Sequence, residues 1–244
     1  MRLNTPMAAL LTRLLASVPW AARQGRQDPR LRAVHDCLRA CKPALLARTP
    51  LAHTRFVVMD TETTGFHAYA GDEIVSIALI ELQGLEPTGR VYNTLVNPRR
   101  DIPAHSTRIH HITNADVAAA PVIEEVLCDV IPFIGESILI GHHVQFDIRF
   151  LNKTLYQLCR GRLRHPYLDT MMLYTAVSGR LGHYRLEDVA RFCRVTIHGR
   201  HTAYGDAMAT AAVFQTLATR LSRAEQPVSR LIKCQSAVGL FRQP

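Results

Sequence analysis

Residues 57–65, Val57-Val58-Met59-Asp60-Thr61-Glu62-Thr63-Thr64-Gly65 ("VVMDTETTG"), set two carboxylates one residue apart at the end of an apolar run. On a strand, side chains two residues apart share a face, so Asp60 and Glu62 lie side by side. Like charges at that spacing repel, and one carboxyl titrates high unless a cation or hydrogen-bond donors keep both ionised. Oxygen-only ligation suits hard cations such as Mg²⁺ or Mn²⁺. The stretch reads equally well as a strand running out into a solvated turn at Thr64 and Gly65. Further carboxylates are needed to separate the two readings.

The 244 residues, 48% of them hydrophobic, suffice for one large domain with an extension. No apolar run approaches a membrane span, and "MAALLTRLLASVPWAA" is interrupted by Arg13. The expectation is therefore a cytoplasmic protein without a secretory signal and with no membrane partner; the Arg-rich start imitates an organelle transit peptide only weakly. The six cysteines are scattered, with no CxxC pair, as expected of reduced thiols.

Charge divides the chain. Residues 1–55 carry ten Lys and Arg against two acids, whereas the remainder is nearly balanced. Within that segment "AALLTRLLASV" and "LRAVHDCLRACKPALLA" show three- and four-residue apolar spacing and read as two amphipathic helices. Residues 1–54 are thus expected to form a basic helical extension, suited to nucleic acid phosphates, an acidic partner or an anionic surface, or else a solvated cover packed on the main domain.

From residue 55 the pattern becomes alternating. "RFVVMDTET", "EIVSIALIEL" and "GRVYNTLVNP" read as strands, the last two joined by a turn at "QGLEPTG". Helical "APVIEEVLCDVIPFIG", the apolar strand "SILIGHH" and a helix from Phe146 to about Arg160 follow. Further helices are read near Asp169–Val177 and Leu186–Phe192, then in "YGDAMATAAVFQTLATRL". A meander followed by alternating strands and helices indicates an α/β domain with a mixed sheet. Asp147 falls where a strand gives way to a helix, the place where open α/β sheets hold ligands, and Asp206 opens the last long helix, five residues after His201. Singly, each is an acid in a first helical turn; together with Asp60 and Glu62 they suggest one shared metal site.

These blocks, "DTETTG", "GHHVQFDIRFL" and "HTAYGDA", with "IHHIT" after "VNP", resemble those of the DEDDh 3′–5′ exonucleases from about Arg55 to Leu221. The resemblance implies a ribonuclease H-like fold with a mixed, mostly five-stranded sheet flanked by helices. It divides the chain into the extension 1–54, an exonuclease domain 55–222 and a tail 223–244. It also implies two divalent cations, Mg²⁺ or Mn²⁺, held by Asp60, Glu62, Asp147 and Asp206. Asp60 would bridge them, Glu62 and Asp206 would complete one shell and Asp147 would support the other. His201 would be the general base, with Thr63, Thr64, His105, His110 and Phe146 against the substrate. Phe66 and Tyr204 are further candidate stacking residues, and Arg160, Arg162 and Arg164 a basic loop. Many members have Asn in place of His143 and an acid in place of His105, which bears on substrate preference. The implied reaction releases nucleoside 5′-monophosphates from nucleic acid 3′ ends, most naturally single-stranded or mismatched DNA. Alternatives are an RNA-directed enzyme of the ribonuclease T or oligoribonuclease kind, and a module that keeps the fold to bind nucleic acid or a DNA polymerase. The tail segment "QSAVGLF" (235–241) resembles a sliding-clamp-binding peptide, although an apolar tail docked on its own domain is the stronger reading.

Overall fold

A computed structural model describes residues 29–240. The helix read in "AALLTRLLASV" lies outside them. The core is a five-stranded sheet ordered β3-β2-β1-β4-β5. Its strands are β1 (Arg55–Thr63), β2 (Ile74–Gln83), β3 (Glu86–Leu95), β4 (Ile138–Gly141) and β5 (Tyr167–Asp169). β1, β2 and β3 form an antiparallel meander, whereas β4 and β5 run parallel to β1. The mixed sheet follows from the linkers: β2 and β3 are joined by a tight turn, while β1 reaches β4, and β4 reaches β5, through helices that parallel neighbours require.

Alternation along β1 assigns its two faces. Phe56 and Val58 pack into one core cluster with Phe214 and Leu217, and Val57 and Met59 into the other with Val130, Phe150 and Leu151. The first cluster lies under α9 (Ala203–Leu221), with α7 (Thr170–Ser178) and α8 (Leu186–Cys193) beside it. The second lies under α5 (Ile123–Ile134) and α6 (Gln145–Cys159). β2 is buried along all but its last residue because both clusters meet on it, so its apolar run is continuous rather than alternating.

Several elements depart from the sequence reading. "LRAVHDCLRACKPALLA" is not one helix: it breaks into α1 (Pro29–Ala40) and α2 (Pro43–Arg48), because proline is tolerated in a first turn and not in an interior. The "QGLEPTG" turn shrinks to Gly84 and Leu85, and Pro87 and Gly89 enter β3, where the ladder shifts register. β3 is an edge strand, and an edge accepts Pro because one of its sides has no ladder to donate to. Four elements carried no readable signal: α3 (Ala104–His110), α4 (Asn114–Val117), the three-residue β5, and α10 (Ser229–Leu240).

Both ends of the described chain are tied to the domain. The Leu51 and Ala52 amides donate to the carbonyls of Gln226 and Ala224, and the Val228 amide donates to that of Thr49. α10 then packs on α7 and β5, where the Asp169 amide donates to Gln235 Oε1 at 2.6 Å and Gln235 Nε2 donates to the Tyr167 carbonyl at 3.2 Å. Gln235, the first residue of the segment that resembles a clamp-binding peptide, thus bonds along β5, as a tail docked on its own domain would. No disulfide joins any of the six cysteines, and no described helix is long and apolar enough to cross a membrane.

Candidate active site

The site forms at the end of β1, beside the C-terminal ends of β4 and β5. Asp60 and Glu62 continue the face of β1 that carries Phe56 and Val58, and so point toward α9, whose first turn presents Asp206. One carboxylate oxygen of each of the three lies within 4.8 Å of the other two. The α9 turn is set by Thr202, whose hydroxyl caps the helix by accepting from the Gly205 amide at 3.1 Å. Gly205 is required there, since a Cβ would overlap the carbonyls of Gly199 and His198.

Asp147 arrives from the opposite face. Thr61, between the two acids, points toward α6, and its hydroxyl donates to Asp147 Oδ1 at 2.6 Å. The strand therefore addresses carboxylates on both of its faces: two directly, and one through the threonine that separates them.

Electrostatics follow from this crowding. Burial drives the Asp60 carboxyl well above its ordinary range, and the charges of Asp147, Asp206 and Glu62 add to it, with Arg200 opposing. Glu62 is pushed to about 7, first by burial and then by Asp206. Asp147 also reaches about 7 through burial, with the Thr61 hydrogen bond holding it lower than it would otherwise be. Asp206 is raised by burial against the pull of Arg200 and His201. Arg200 forms an ion pair with Asp206 Oδ2 and donates from Nε to Glu187 Oε1 at 2.8 Å, so it is the cation that lets the acids converge. One oxygen remains: Asp206 Oδ1 is buried and has no hydrogen-bond partner among the described residues. An all-oxygen set with an orphaned buried acceptor fits a hard divalent cation.

His201 sits at the loop preceding Thr202, half-buried, with φ at 62°, the left-handed region. His110, at the end of α3, is buried; its Nδ1 accepts from the Ile112 amide at 3.0 Å, which leaves Nε2 as the nitrogen that carries the proton. Burial lowers its pKa, with the nearby charges of His111 and His201 adding and the Thr63 carbonyl opposing. Nε2 is buried and makes no hydrogen bond among the described residues, which leaves it as an N–H donor available to a ligand. The Thr63 hydroxyl donates to the Gly65 carbonyl at 2.6 Å, and that of Thr64 to Asp72 at 3.2 Å, so both shape the loop after β1. Ser106 donates to the Thr64 carbonyl at 2.8 Å and pins α3 to that loop. His105 is exposed in the first turn of α3. Phe146, in the first turn of α6, lies 6.2 Å from the exposed Phe66 ring and 4.9 Å from Phe150, forming an aromatic ledge.

The "GHH" pair divides its work. His142 is half-buried and structural: it contacts Thr170 Oγ1 at 3.0 Å and the Tyr184 carbonyl at 2.9 Å, and desolvation takes its pKa to about 4. His143 has φ at 61° and stacks on His183 at 4.4 Å between centroids, while its amide donates to Asp169. Asn and His are both enriched in that left-handed conformation, a physical reason that one stands where the other is common. Sequence reading did not find Thr61 or Arg200. Their positions, between the paired acids and directly before His201, are the only signal the chain offers.

A family described as Exonuclease matches residues 57–214. The chain is 43% identical over 176 residues to a DNA polymerase III subunit epsilon-like protein of Rhodobacter capsulatus, a match covering 70% of this chain and 25% of that relative. It is 34% identical over 177 residues to DNA polymerase III subunit epsilon of Aquifex aeolicus, covering 72% of this chain and 87% of the relative. Among solved structures, Exonuclease X in complex with 5′-overhanging duplex DNA superposes with a TM-score of 0.55 at 25% identity, covering 72% of this chain and 99% of that one.

Proposed function

The chain belongs to the DEDDh 3′–5′ exonuclease family, and from that premise we propose that it hydrolyses the terminal phosphodiester at the 3′ end of DNA, single-stranded or mismatched, releasing nucleoside 5′-monophosphates. The observation that carries this reading is the convergence of Asp60, Glu62 and Asp206 within 4.8 Å, with Asp147 brought in by Thr61 and a buried oxygen of Asp206 left for an electrophile.

Two divalent cations, Mg²⁺ or Mn²⁺, held by these four carboxylates would supply the charge compensation that in-line displacement at phosphorus needs on the attacking and leaving oxygens. The chain's own residues do the rest. His201 accepts the proton of the attacking water, the role a positioned imidazole takes as general base. Arg200 pairs with Asp206 and opposes the burial that raises its carboxyl. His110 donates from Nε2 toward the terminal nucleotide, and the Phe66–Phe146 ledge offers ring faces to bases, which stack without regard to sequence. Tyr204, exposed in the first turn of α9 two residues before Asp206, offers a further ring face.

We place the catalytic unit at residues 55–222 and read residues 29–54 and 223–240 as covering elements. A DNA polymerase partner is carried over from the relatives' names, and a bacterial setting from their organisms. The engagement of Gln235 with β5 argues for a tail docked on its own domain over clamp capture.

The test is hydrolysis of 3′- and 5′-labelled DNA and RNA oligonucleotides with Mg²⁺ or Mn²⁺, alongside EDTA and Asp60→Ala. Loss from the 3′ end that needs both metal and Asp60 is expected, and the DNA-to-RNA rate ratio selects between DNA and RNA as substrate. No cleavage by folded, metal-supplied protein would overturn the reading in favour of a binding module.

A further inference from the structure

Helix α6 joins two sites. Asp147 lies in its first turn and Arg160 is its C-cap, so its 15 residues set the two ends about 20 Å apart at 1.5 Å per residue. After Arg160 the chain runs Gly161-Arg162-Leu163-Arg164 into the start of β5. Because β5, β4 and β1 are parallel, this loop lies at the edge where those strands begin, opposite the carboxylates. Helix α1 packs across α5 and α6 there, burying Val34 and Leu38. Between α1 and the loop is a cavity of about 640 Å³ whose lining includes His35, Arg39, Tyr156, Arg160, Arg162 and Arg164.

The loop is held, not loose. Leu163 is buried and its amide donates to Asn152 Oδ1 at 2.7 Å, which leaves Arg162 and Arg164 exposed on either side of the anchor. Gly161 permits the close approach to α1, since a Cβ would overlap Leu38 and Cys159. The Arg160 guanidinium lies 4.6 Å over the ring of Tyr156, whose side chain is 58% exposed. None of the four arginines has an ion pair among the described residues. The acids at the margin serve other groups: Asp36 is 3.7 Å from His35, and Glu136 adds to burial in raising the Cys41 thiol.

We propose that this is a second nucleic-acid contact, a site for the phosphodiester backbone of the strand outside the catalytic cleft. Four guanidinium groups gathered without carboxylates repel one another until a polyanion bridges them, and their fork geometry matches phosphate oxygens. The arginine-stacked tyrosine supplies a ring face for an unpaired base, a feature that a site for an acidic peptide does not need. Residues 1–28, directly before α1, add four arginines against one acid in the sequence. The inference shares with the proposed function only the premise that the ligand is nucleic acid.

The full chain is titrated in EDTA with fluorescent single strands of dT and rU about 20 nucleotides long, over roughly 50–200 mM salt. The Arg160→Ala/Arg162→Ala/Arg164→Ala variant is compared with the parent. Each single-strand phosphate contact contributes about 0.7 to the slope of log K against log salt, so the slope is expected to fall by about 2. Affinity for the long strand should fall at least about tenfold, the same loss for dT and rU marking a backbone site. Hydrolysis of a dinucleotide, which cannot span to the loop, should be unchanged. Where the triple variant does not fold, Lys at the three positions with Tyr156→Ala should keep the slope and still lose affinity. Unchanged slope and affinity would overturn the proposal, as would arginine-dependent capture of polyglutamate or anionic vesicles with nucleic-acid binding intact. A parent that cleaves nothing yet keeps the arginine-dependent slope would sink the catalytic reading and leave this site standing.

Discussion

Asp60→Asn removes a charge where its surroundings oppose it most. The ligating oxygens of Asp60, Glu62 and Asp206 lie within 4.8 Å of one another, and at that separation two like charges repel by about 3.5 kcal/mol per pair for an effective dielectric near 20. Two such repulsions vanish in the variant. Most of that gain is already offset in the parent, by Arg200 and by proton uptake at Asp60 itself, whose carboxyl is raised well above its ordinary range by burial and by its acidic neighbours. A net stabilisation of about 2 kcal/mol is expected for metal-free protein at pH 8. For a chain of this size that corresponds to a Tm about 4–8 °C higher in EDTA. The pH dependence has a defined sign. Carboxyls with folded pKa values above their unfolded ones take up protons on folding, so their stabilising contribution is complete below about pH 4 and is lost as pH rises to about 7. The parent's Tm in EDTA should fall across that window and the variant's should fall less. Divalent cations should raise the parent's Tm most at the alkaline end and the variant's hardly at all, because protons and metal compete for the same oxygens. Thermal unfolding followed by circular dichroism, with EDTA and with Mn²⁺ at several pH values, measures all of this. A variant that melts at or below the parent in EDTA at pH 8, or that keeps the parent's response to Mn²⁺, would refute the convergence of charge on which the site rests.

Other residues separate roles within the site. His201→Ala should lower kcat by about 10²–10⁴, the range for a lost general base, while the Mn²⁺-induced Tm shift survives; losing that shift would mark His201 as a ligand instead. Thr61→Val removes the 2.6 Å hydrogen bond to Asp147 and so should move the acidic limb of the kcat/KM profile to higher pH, with Thr61→Ser restoring it; an unmoved limb in Val would separate Asp147 from catalysis. Gly205→Ala forces a Cβ against the carbonyls of Gly199 and His198 and should cost about 1–3 kcal/mol together with most of the activity, read from paired melts and rates. A stable, fully active Ala variant would contradict the packing of that turn. Gln235→Ala deletes two hydrogen bonds to β5 and should destabilise by about 1–3 kcal/mol in denaturant titrations without altering dinucleotide turnover.

How much of this was written in the chain can be judged residue by residue. β1 and the paired acids were legible because alternation fixes which side chains share a face, whatever the rest of the chain does. Asp147 and Asp206 were legible as helix-start acids, and the ordered blocks around them joined them to Asp60 and Glu62. α3 escaped because its seven residues mix His, Ser, Thr and Arg with one Ile, too few apolar positions for a period. β5 escaped because three residues form a strand only when β4 is already there to pair with. α10 was hidden by its weak apolar pattern, and Gln235 by the absence of any local feature that ties it to a strand 66 residues earlier.

The sequence by itself determined the α/β order, the direction in which Asp60 and Glu62 point and the set of acids that belong together, since these depend on local geometry and on spacing along one strand or helix. Only the tertiary structure decided that Arg200 balances Asp206, that Thr61 links the two faces of β1, and that three arginines of one loop meet a fourth on α1 some 20 Å from the carboxylates along α6. Those relations join segments that neither propensity nor periodicity connects, and they exist because burying both faces of one sheet forces distant, charged chain ends into the few places left at its edges.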